Sequence, residues 1–278
     1  MVGFVHNVAQ VGFGTGTNEL YDKARPSYQA APVSLIRKAV PAKGPLNIVE
    51  YVIGAGTGIF TRALLAHPDW TSDVGQLKAI EPSEGMRDQF LKTSLKDDPR
   101  VSTQEGSFSQ TNVEDGSADL VVIAQAFHWC PDHEAAAKEF ARILKPDGVV
   151  AFIWNLEDRD NTGWVAQLRD TIEQYEQGTP QFRLGLWRKF FDVPAYKELF
   201  QPPAEEVFEY NLIGTTDIVV NRAFSKSFIT MLPVDEKAKV ENKIKEIVER
   251  GDGRKWVDES QGVFEYPYKC WVVIAKRK

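Results

Sequence analysis

Residues 46–70 read LNIVEYVIGAGTGIFTRALLAHPDW, and the order of residue types in this stretch decides the fold. Leu46 to Ile53 is an apolar, β-branched run that suits a buried parallel strand. Gly54, Gly56 and Gly58 then supply a turn. Ile59, Phe60, Ala63, Leu64 and Leu65 follow at helical spacing until Pro68 ends the pattern. Strand, glycine turn and helix in this order are what a nucleotide-type cofactor loop requires. The same Gly-x-Gly-Thr-Gly wording occurs earlier, in VGFGTGTNELY, but its flank FVHNVAQV is a poor, short strand. The stretch about twenty residues past Gly16, LIRKAV, has no acid. Gly54 to Gly58 is therefore the expected cofactor loop, and Gly12 to Gly16 a lead-in turn.

A strand after that helix should end in an acid, because the ribose of a nucleotide lying over the turn presents two hydroxyls to a carboxylate. QLKAIEPSEGM supplies it: Glu81 lies 23 residues beyond Gly58. RVSTQEGSF predicts a third strand and ADLVVIAQAFHW a fourth, buried one. DHEAAAKEFARILKPDG reads as an amphipathic helix stopped at Pro146, and VVAFIWN as the next strand. The alternation over 46–155 indicates an α/β class with a doubly wound, mostly parallel sheet. After Asn155 the text turns helical, polar and aromatic, in GWVAQLRDTIEQYEQ and GLWRKFFDVPAYKELF. Two late strand candidates, EEVFEYNLI and YKCWVVIAK, would add antiparallel members at a sheet edge. One domain with an inserted lid is the economical reading.

The 278 residues can bury a large core, and 16 Phe, 8 Tyr and 7 Trp describe an aromatic-rich globule. A net charge of -6 gives no general electrostatic footprint for nucleic acid or an anionic membrane, and makes a small neutral or cationic partner easier to accommodate. Cys130 and Cys270 stand far apart without metal-ligand spacing, so neither zinc nor a disulfide framework is expected. MVGFVHNVAQ lacks the pattern of a signal peptide and no run approaches a membrane span, so the expected location is cytoplasmic. Oligomeric state is not legible.

The turn argues against a nicotinamide site, where a third glycine falls at the position Ile59 holds and the helix N-terminus faces a pyrophosphate. Gly-x-Gly-x-Gly with no basic residue nearby suits a cofactor without phosphates. On five elements in order, YDKARPSY (Tyr21 to Tyr28), GAGTG (Gly54 to Gly58), EPSEGM (Glu81 to Met86), AQAFHW (Ala124 to Trp129) and LKPDG (Leu144 to Gly148), the chain resembles class I S-adenosylmethionine-dependent methyltransferases. The likeness is to the small-molecule branch of ubiquinone/menaquinone-biosynthesis-type and trans-aconitate-type enzymes and their fungal relatives. The resemblance implies a Rossmann-like, seven-stranded sheet with an antiparallel edge strand. It implies an N-terminal cofactor-covering segment over 1–45, a cofactor-binding core over 46–155, an acceptor-side lid over 156–235, and a C-terminal helix and edge strands over 236–278.

Carried over by position, it implies that Gly54, Ala55, Gly56 and Gly58 form a wall against the methionine portion of S-adenosylmethionine, and that Glu81 binds the ribose hydroxyls. Pro82, Ser83 and Met86 would flank the adenine, Ser107 and Phe108 would close its far side, and Gln125 would approach the methionine end. Tyr21 and Arg25 would reach in from the N-terminal segment to the cofactor carboxylate. His128 is the candidate base for an O–H, N–H or S–H acceptor, unless it only orients a loop. Trp129 and Trp154 are candidates for the wall of the acceptor pocket, or for core packing. Phe182, Trp187, Phe190 and Phe191 indicate a partly apolar acceptor, or core again.

One departure stands out. The family carries an acid two residues before the first glycine, whereas here Val52 holds that position and Glu50 lies four residues before Gly54. Deleting Tyr51 and Val52 would restore the pattern. In a regular strand the extra pair would move Glu50 about 7 Å back on the same face, and a bulge would absorb it. Two functions follow: a methyltransferase acting on a small molecule, or a protein of this fold with weakened cofactor binding and a binding or pericyclic role.

Overall fold

In the computed structural model, residues 22–51 and 57–278 are described. Gly12 to Gly16, Tyr21, Val52, Gly54, Ala55 and Gly56 lie outside the described residues, and so does the interior of the expected cofactor loop.

The apolar runs become strands at the predicted places, β1 (Leu46–Tyr51), β2 (Val74–Ile80), β3 (Val101–Gln104), β4 (Ala118–Ala124), β5 (Leu144–Glu157), β6 (Ala204–Gly214) and β8 (Val263–Lys276), and a short β7 (Trp256–Asp258) is added to them. They join in the order β3-β2-β1-β4-β5-β8-β6, with the short β7 paired to β8 off this path. β1 to β5 are mutually parallel, and β8 runs antiparallel both to β5 and to the outermost β6. The order reverses between β1 and β4, the switch point beside which open parallel sheets place their ligands. All seven residues of β4 are buried, as a central strand covered on both faces must be. The antiparallel edge is as expected. β7, three exposed residues, carries no hydrophobic pattern that could have foretold it.

The helices are α1 (Ala30–Ala39), α2 (Ile59–Ala66), α3 (Glu84–Phe90), α4 (His133–Ile143), α5 (Gly163–Glu173), α6 (Pro194–Leu199), α7 (Thr216–Phe224) and α8 (Val234–Arg250), besides one-turn pieces such as Ser227–Thr230. α4 starts on an Asp132 side chain that accepts the Ala135 N–H at 2.9 Å. It ends at Ile143, three residues before Pro146, because proline disfavours the helical region at the residue before it. Leu144 already pairs with Ala118, and Lys145 to Gly148 bulge out before Val149 rejoins β4 at Leu120. Asp147 takes the left-handed conformation there, with φ 62°.

Two apolar clusters divide the molecule. The larger fills both faces of β1, β2, β4 and β5. The smaller joins α5 and α7 to α8 and the first half of β8, with Trp164, Leu168, Ile244 and Tyr266 among its members. α5 and α7 therefore pack with the C-terminal helix α8 in one cluster, whereas α6 belongs to the larger one. The site lies at the C-terminal ends of the strands, between the two clusters.

Candidate active site

Glu50 stands near the end of β1, opposite Ala79 of β2 and Val122 of β4, and the register is regular from Asn47 through Tyr51. Any accommodation of the extra pair beyond Tyr51 falls outside the described residues. The Glu50 side chain is fully buried. Thr61 of α2 donates its hydroxyl to Oε2 at 2.6 Å, while Oε1 has no hydrogen-bond partner among the described residues. Burial pushes its pKa up to about 7, against the pull of Thr61 and Arg62. Glu50 lines a small cavity with Arg25, Tyr28, Ile59, Phe60 and Gln125. Tyr51 points to the opposite face, stacked on Phe108 with ring centroids 5.5 Å apart.

Gly58, at the entry of α2, has φ 79°, and a Cβ there would run into Leu95 Cδ1. Only glycine fits both conditions. Arg62 of α2 donates to the Thr57 carbonyl and to Asp22, each at 2.6 Å, which docks the N-terminal segment beside the turn. Tyr28 of the same segment packs edge-on against Phe60.

At the end of β2 the buried Glu81 accepts the Ser83 N–H at 2.8 Å, and Arg87 donates to the Glu81 carbonyl at 2.7 Å. Pro82 lies between them, and Ser83 caps α3 by accepting from Met86 at 3.4 Å. Met86 is fully buried. Ser107 and Phe108, past β3, are buried too. Gln125, the first residue after β4, has φ 58°, a sparsely populated conformation for a non-glycine residue that marks many functional positions. Its side-chain amide donates to the Asn155 carbonyl at 2.7 Å.

A second, larger cavity opens beyond Gln125. Arg25, Gln125, His128 and Trp129 line it together with residues of α5, α7 and the segment between α5 and α6. Four of the residues singled out in the sequence thus meet on one wall. Trp154 does not: it is fully buried against Trp187 and Phe182, and it reaches the cavity only through an indole N–H donated to His128 Nδ1 at 3.3 Å. Indole nitrogen is only a donor, so His128 Nδ1 is the acceptor and Nε2 carries the proton. Burial, and then the positive charge of Arg25, push the His128 pKa down to about 3, so the ring is neutral. Among the aromatics of 182–191, Phe182 lines the cavity, whereas Trp187 and Phe190 are core.

The charged floor of this cavity was not anticipated. Glu157, at the end of β5, is met by Arg169 of α5 at 2.9 Å, Arg222 of α7 at 3.2 Å and Lys226 at 3.3 Å. Burial alone would raise the Glu157 pKa, but the three cations outweigh it and hold the carboxyl well below its ordinary value. Arg169 also binds Glu173 at 2.6 Å, and Arg183 bridges Glu173, at 3.3 Å, and Glu176 at the rim. Arg25 donates to the Ser225 carbonyl at 3.0 Å and so ties the N-terminal segment to the end of α7. A readable signal existed: Arg169 and Arg222 fall on the apolar stripes of their helices, between Val165 and Ile172 and between Val219 and Ala223.

A methyltransferase-domain family model matches residues 52–152. The chain is 31% identical over 228 residues to an uncharacterized methyltransferase-like protein of Schizosaccharomyces pombe, C25B8.10, covering 82% of each chain. It is 27% identical over 239 residues to the methyltransferase Mb3374 of Mycobacterium bovis, covering 86% of each. In fold it is similar to the YcgJ protein of Bacillus subtilis (TM-score 0.56, 16% identity, 90% of this chain and 99% of that one). It is also similar to phosphoethanolamine N-methyltransferase 2 of Haemonchus contortus, solved in complex with S-adenosyl-L-methionine (TM-score 0.56, 14% identity, 99% of this chain and 60% of that one). With the reversal of the sheet between β1 and β4, the acids at the ends of β1 and β2 and these relatives together, the chain belongs to the class I S-adenosylmethionine-dependent methyltransferases.

Proposed function

We propose that the protein methylates a small-molecule acceptor held in the larger cavity. One observation carries this reading: Arg25 and Gln125 line both the small cavity at Glu50 and the larger one at His128, so the two compartments adjoin at these side chains. Two acids near the glycine turn, Glu50 in the first compartment and Glu81 outside its lining, support the cofactor reading. A buried carboxyl with one unsatisfied oxygen suits an ammonium, and Glu81 at the end of β2 suits a ribose diol. S-adenosylmethionine, when bound, supplies an electrophilic methyl on a sulfonium.

In this reading Gly54, Ala55, Gly56 and Gly58 back the methionine portion, with Tyr21 and Arg25 at its carboxylate. Pro82, Ser83 and Met86 with Ser107 and Phe108 enclose the adenine, Met86 and Phe108 by shaping the pocket from within the core. Gln125, locked by its bond to the Asn155 carbonyl, marks the boundary across which the methyl passes. The protein's main contributions are alignment and exclusion of water. His128 lines the cavity as a neutral ring whose tautomer Trp154 fixes, so in this reading its part is to orient the acceptor by donation. Trp129 walls the pocket, and residues 156–235 cover it. Both cysteines are free and buried, which accords with a reducing cytosol.

Calorimetric titration with S-adenosylmethionine and S-adenosylhomocysteine, beside a variant lacking Tyr51 and Val52, tests the reading. Micromolar binding by the native chain is the expected result. Binding only by the shortened variant would move the assignment to a protein of this fold with a weakened cofactor site.

A further inference from the structure

We propose that the cleft between β6, β8 and the loop leading into α5 is a second ligand site, and that it takes a neutral polyhydroxylated molecule of about monosaccharide size. The proposal goes beyond the methyl-transfer reading and does not depend on it.

The cleft follows from the way β8 is paired. β5 runs along one edge of β8 as far as Tyr268, and β7 takes up that edge only at Phe264, while β6 covers the other edge throughout. At this interruption lies a space of about 230 Å³, closed by the start of α5 and by Gly253 and Lys255. None of its lining residues lines either cavity of the active site.

Two polar atoms on residues that line the cleft have no hydrogen-bond partner among the described residues: the indole N–H of Trp164, whose side chain is fully buried, and the hydroxyl of Tyr210, itself buried. Both rings are held in place. Trp164 packs on Phe264 and Tyr266 with centroids 5.5 Å and 5.2 Å away, and Tyr210 lies 5.8 Å from Tyr268. Buried polar groups are ordinarily bonded, so two open ones bordering one cleft indicate a ligand that bonds them.

The chemistry of the lining selects the class. An indole nitrogen only donates, so the ligand must bring an acceptor, which an ammonium lacks. A compact anion brings acceptors, but Asp158, Glu209 and Glu265 line the cleft against Lys255 alone among the described lining residues. Lys269, behind the lining, is already shared by Asp158 and Asp160, each at 3.0 Å, and Glu209 at 3.7 Å. A hydroxyl meets both demands, because it accepts from the indole and donates to a carboxylate. Asn161 and Asn211 spend their amide N–H groups on Asp158, at 2.6 Å, and on Glu265, at 3.1 Å, and so turn their oxygens into further acceptors. Several hydroxyls on one skeleton satisfy these donors and acceptors together, and Pro267 with the Tyr210 ring offers an apolar surface to its carbons.

The test uses the full chain, titrated with glucose, galactose, mannose and myo-inositol, and with tetrahydropyran, ethylamine and acetate as comparisons, while the indole N–H peaks are followed by nuclear magnetic resonance. Seven tryptophans give seven such peaks, and Trp164→Phe identifies the one that matters by its loss. At least one polyol is expected to move that peak downfield saturably and to bind about tenfold or more tightly than the three comparisons. Trp164→Phe and Tyr210→Phe are each expected to weaken that polyol about tenfold while leaving S-adenosylhomocysteine affinity within twofold. Tyr210→Phe removes only an unbonded hydroxyl, so it is expected to fold even if the smaller ring at position 164 is not tolerated. Polyols that move no peak, ethylamine or acetate that binds as well as the best polyol, or variants that change nothing would overturn the proposal. Absence of S-adenosylhomocysteine binding sinks the methyltransferase reading instead and leaves the polyol titration valid.

Discussion

A carboxyl group sealed from water beside a glycine turn makes a pH-dependent molecule. Glu50 titrates near 7 in the folded chain against an ordinary 4.5, so the native state holds its proton to higher pH than the unfolded state does. Stability from this residue is fully present below pH 4.5, declines as pH rises toward 7, and is then lower by about 3 kcal/mol. Urea melts at pH 5 and pH 8 should show that decline in the native chain and lose it in Glu50→Gln; an unchanged difference in the variant would refute the assignment. A cationic ligand group reverses the preference, because it needs the ionised form. Cofactor affinity is therefore expected to rise about tenfold between pH 6 and pH 8 in the native chain and to stay flat in Glu50→Gln, read by titration calorimetry. Gly58→Ala, forced into φ 79° against Leu95, should cost about 1–3 kcal/mol in the same melts. At this scale the sequence was legible where a residue type follows from backbone or position: the glycine turn, the acid after β2, the HW pair after β4. It was not legible for Glu157, Arg169, Arg222 and Lys226, which meet from β5, α5, α7 and the residues just after α7. Their pairing depends on how α5 and α7 pack beside the end of β5, and no spacing in one segment encodes that.

Strands and helices declared themselves where burial imposes a period. β4 is apolar throughout because both its faces are covered, and α2 and α4 show a stripe because only one side is. The end of α4 slipped by three residues because the restriction acts on the chain before Pro146, and β7 escaped because three exposed residues bury nothing. β6 poses a different problem, since it is the outermost strand of the sheet path and exposes Val207 and Ile213. Glu205, Glu206 and Glu209 are exposed along the same strand, Glu205 held by Arg188 at 2.7 Å. Charge of one sign on an edge discourages pairing with a second copy. Replacing Glu206 and Glu209 with valine should therefore produce concentration-dependent dimers or aggregates by light scattering, at unchanged helix content. A variant as monodisperse as the native chain would mean that twist or neighbouring loops guard this edge.

Across the whole molecule, the two apolar clusters set a gradient of stability. The larger one is threaded by four parallel strands, β1, β2, β4 and β5, whose amides are bonded within the sheet, whereas the smaller one holds three helices against half of β8. Besides that packing, α5, α7 and the Ser227–Thr230 turn make ionic and single hydrogen bonds to the rest: the cations on Glu157 and Arg25 to the Ser225 carbonyl. Segments with fewer buried apolar contacts open at lower free energy than the global transition. Amides of α7 and of the Ser227–Thr230 turn should thus exchange with deuterium at least tenfold faster than those of β4. Because the cavity lies between the clusters, a ligand touching both walls adds its binding energy to closure and not to the sheet. S-adenosylhomocysteine should slow exchange in α5, α7 and the turn while leaving β4 unchanged. Equal protection of α7 and β4 without ligand would show the two clusters to unfold as one unit, and the lid would then be a fixed wall.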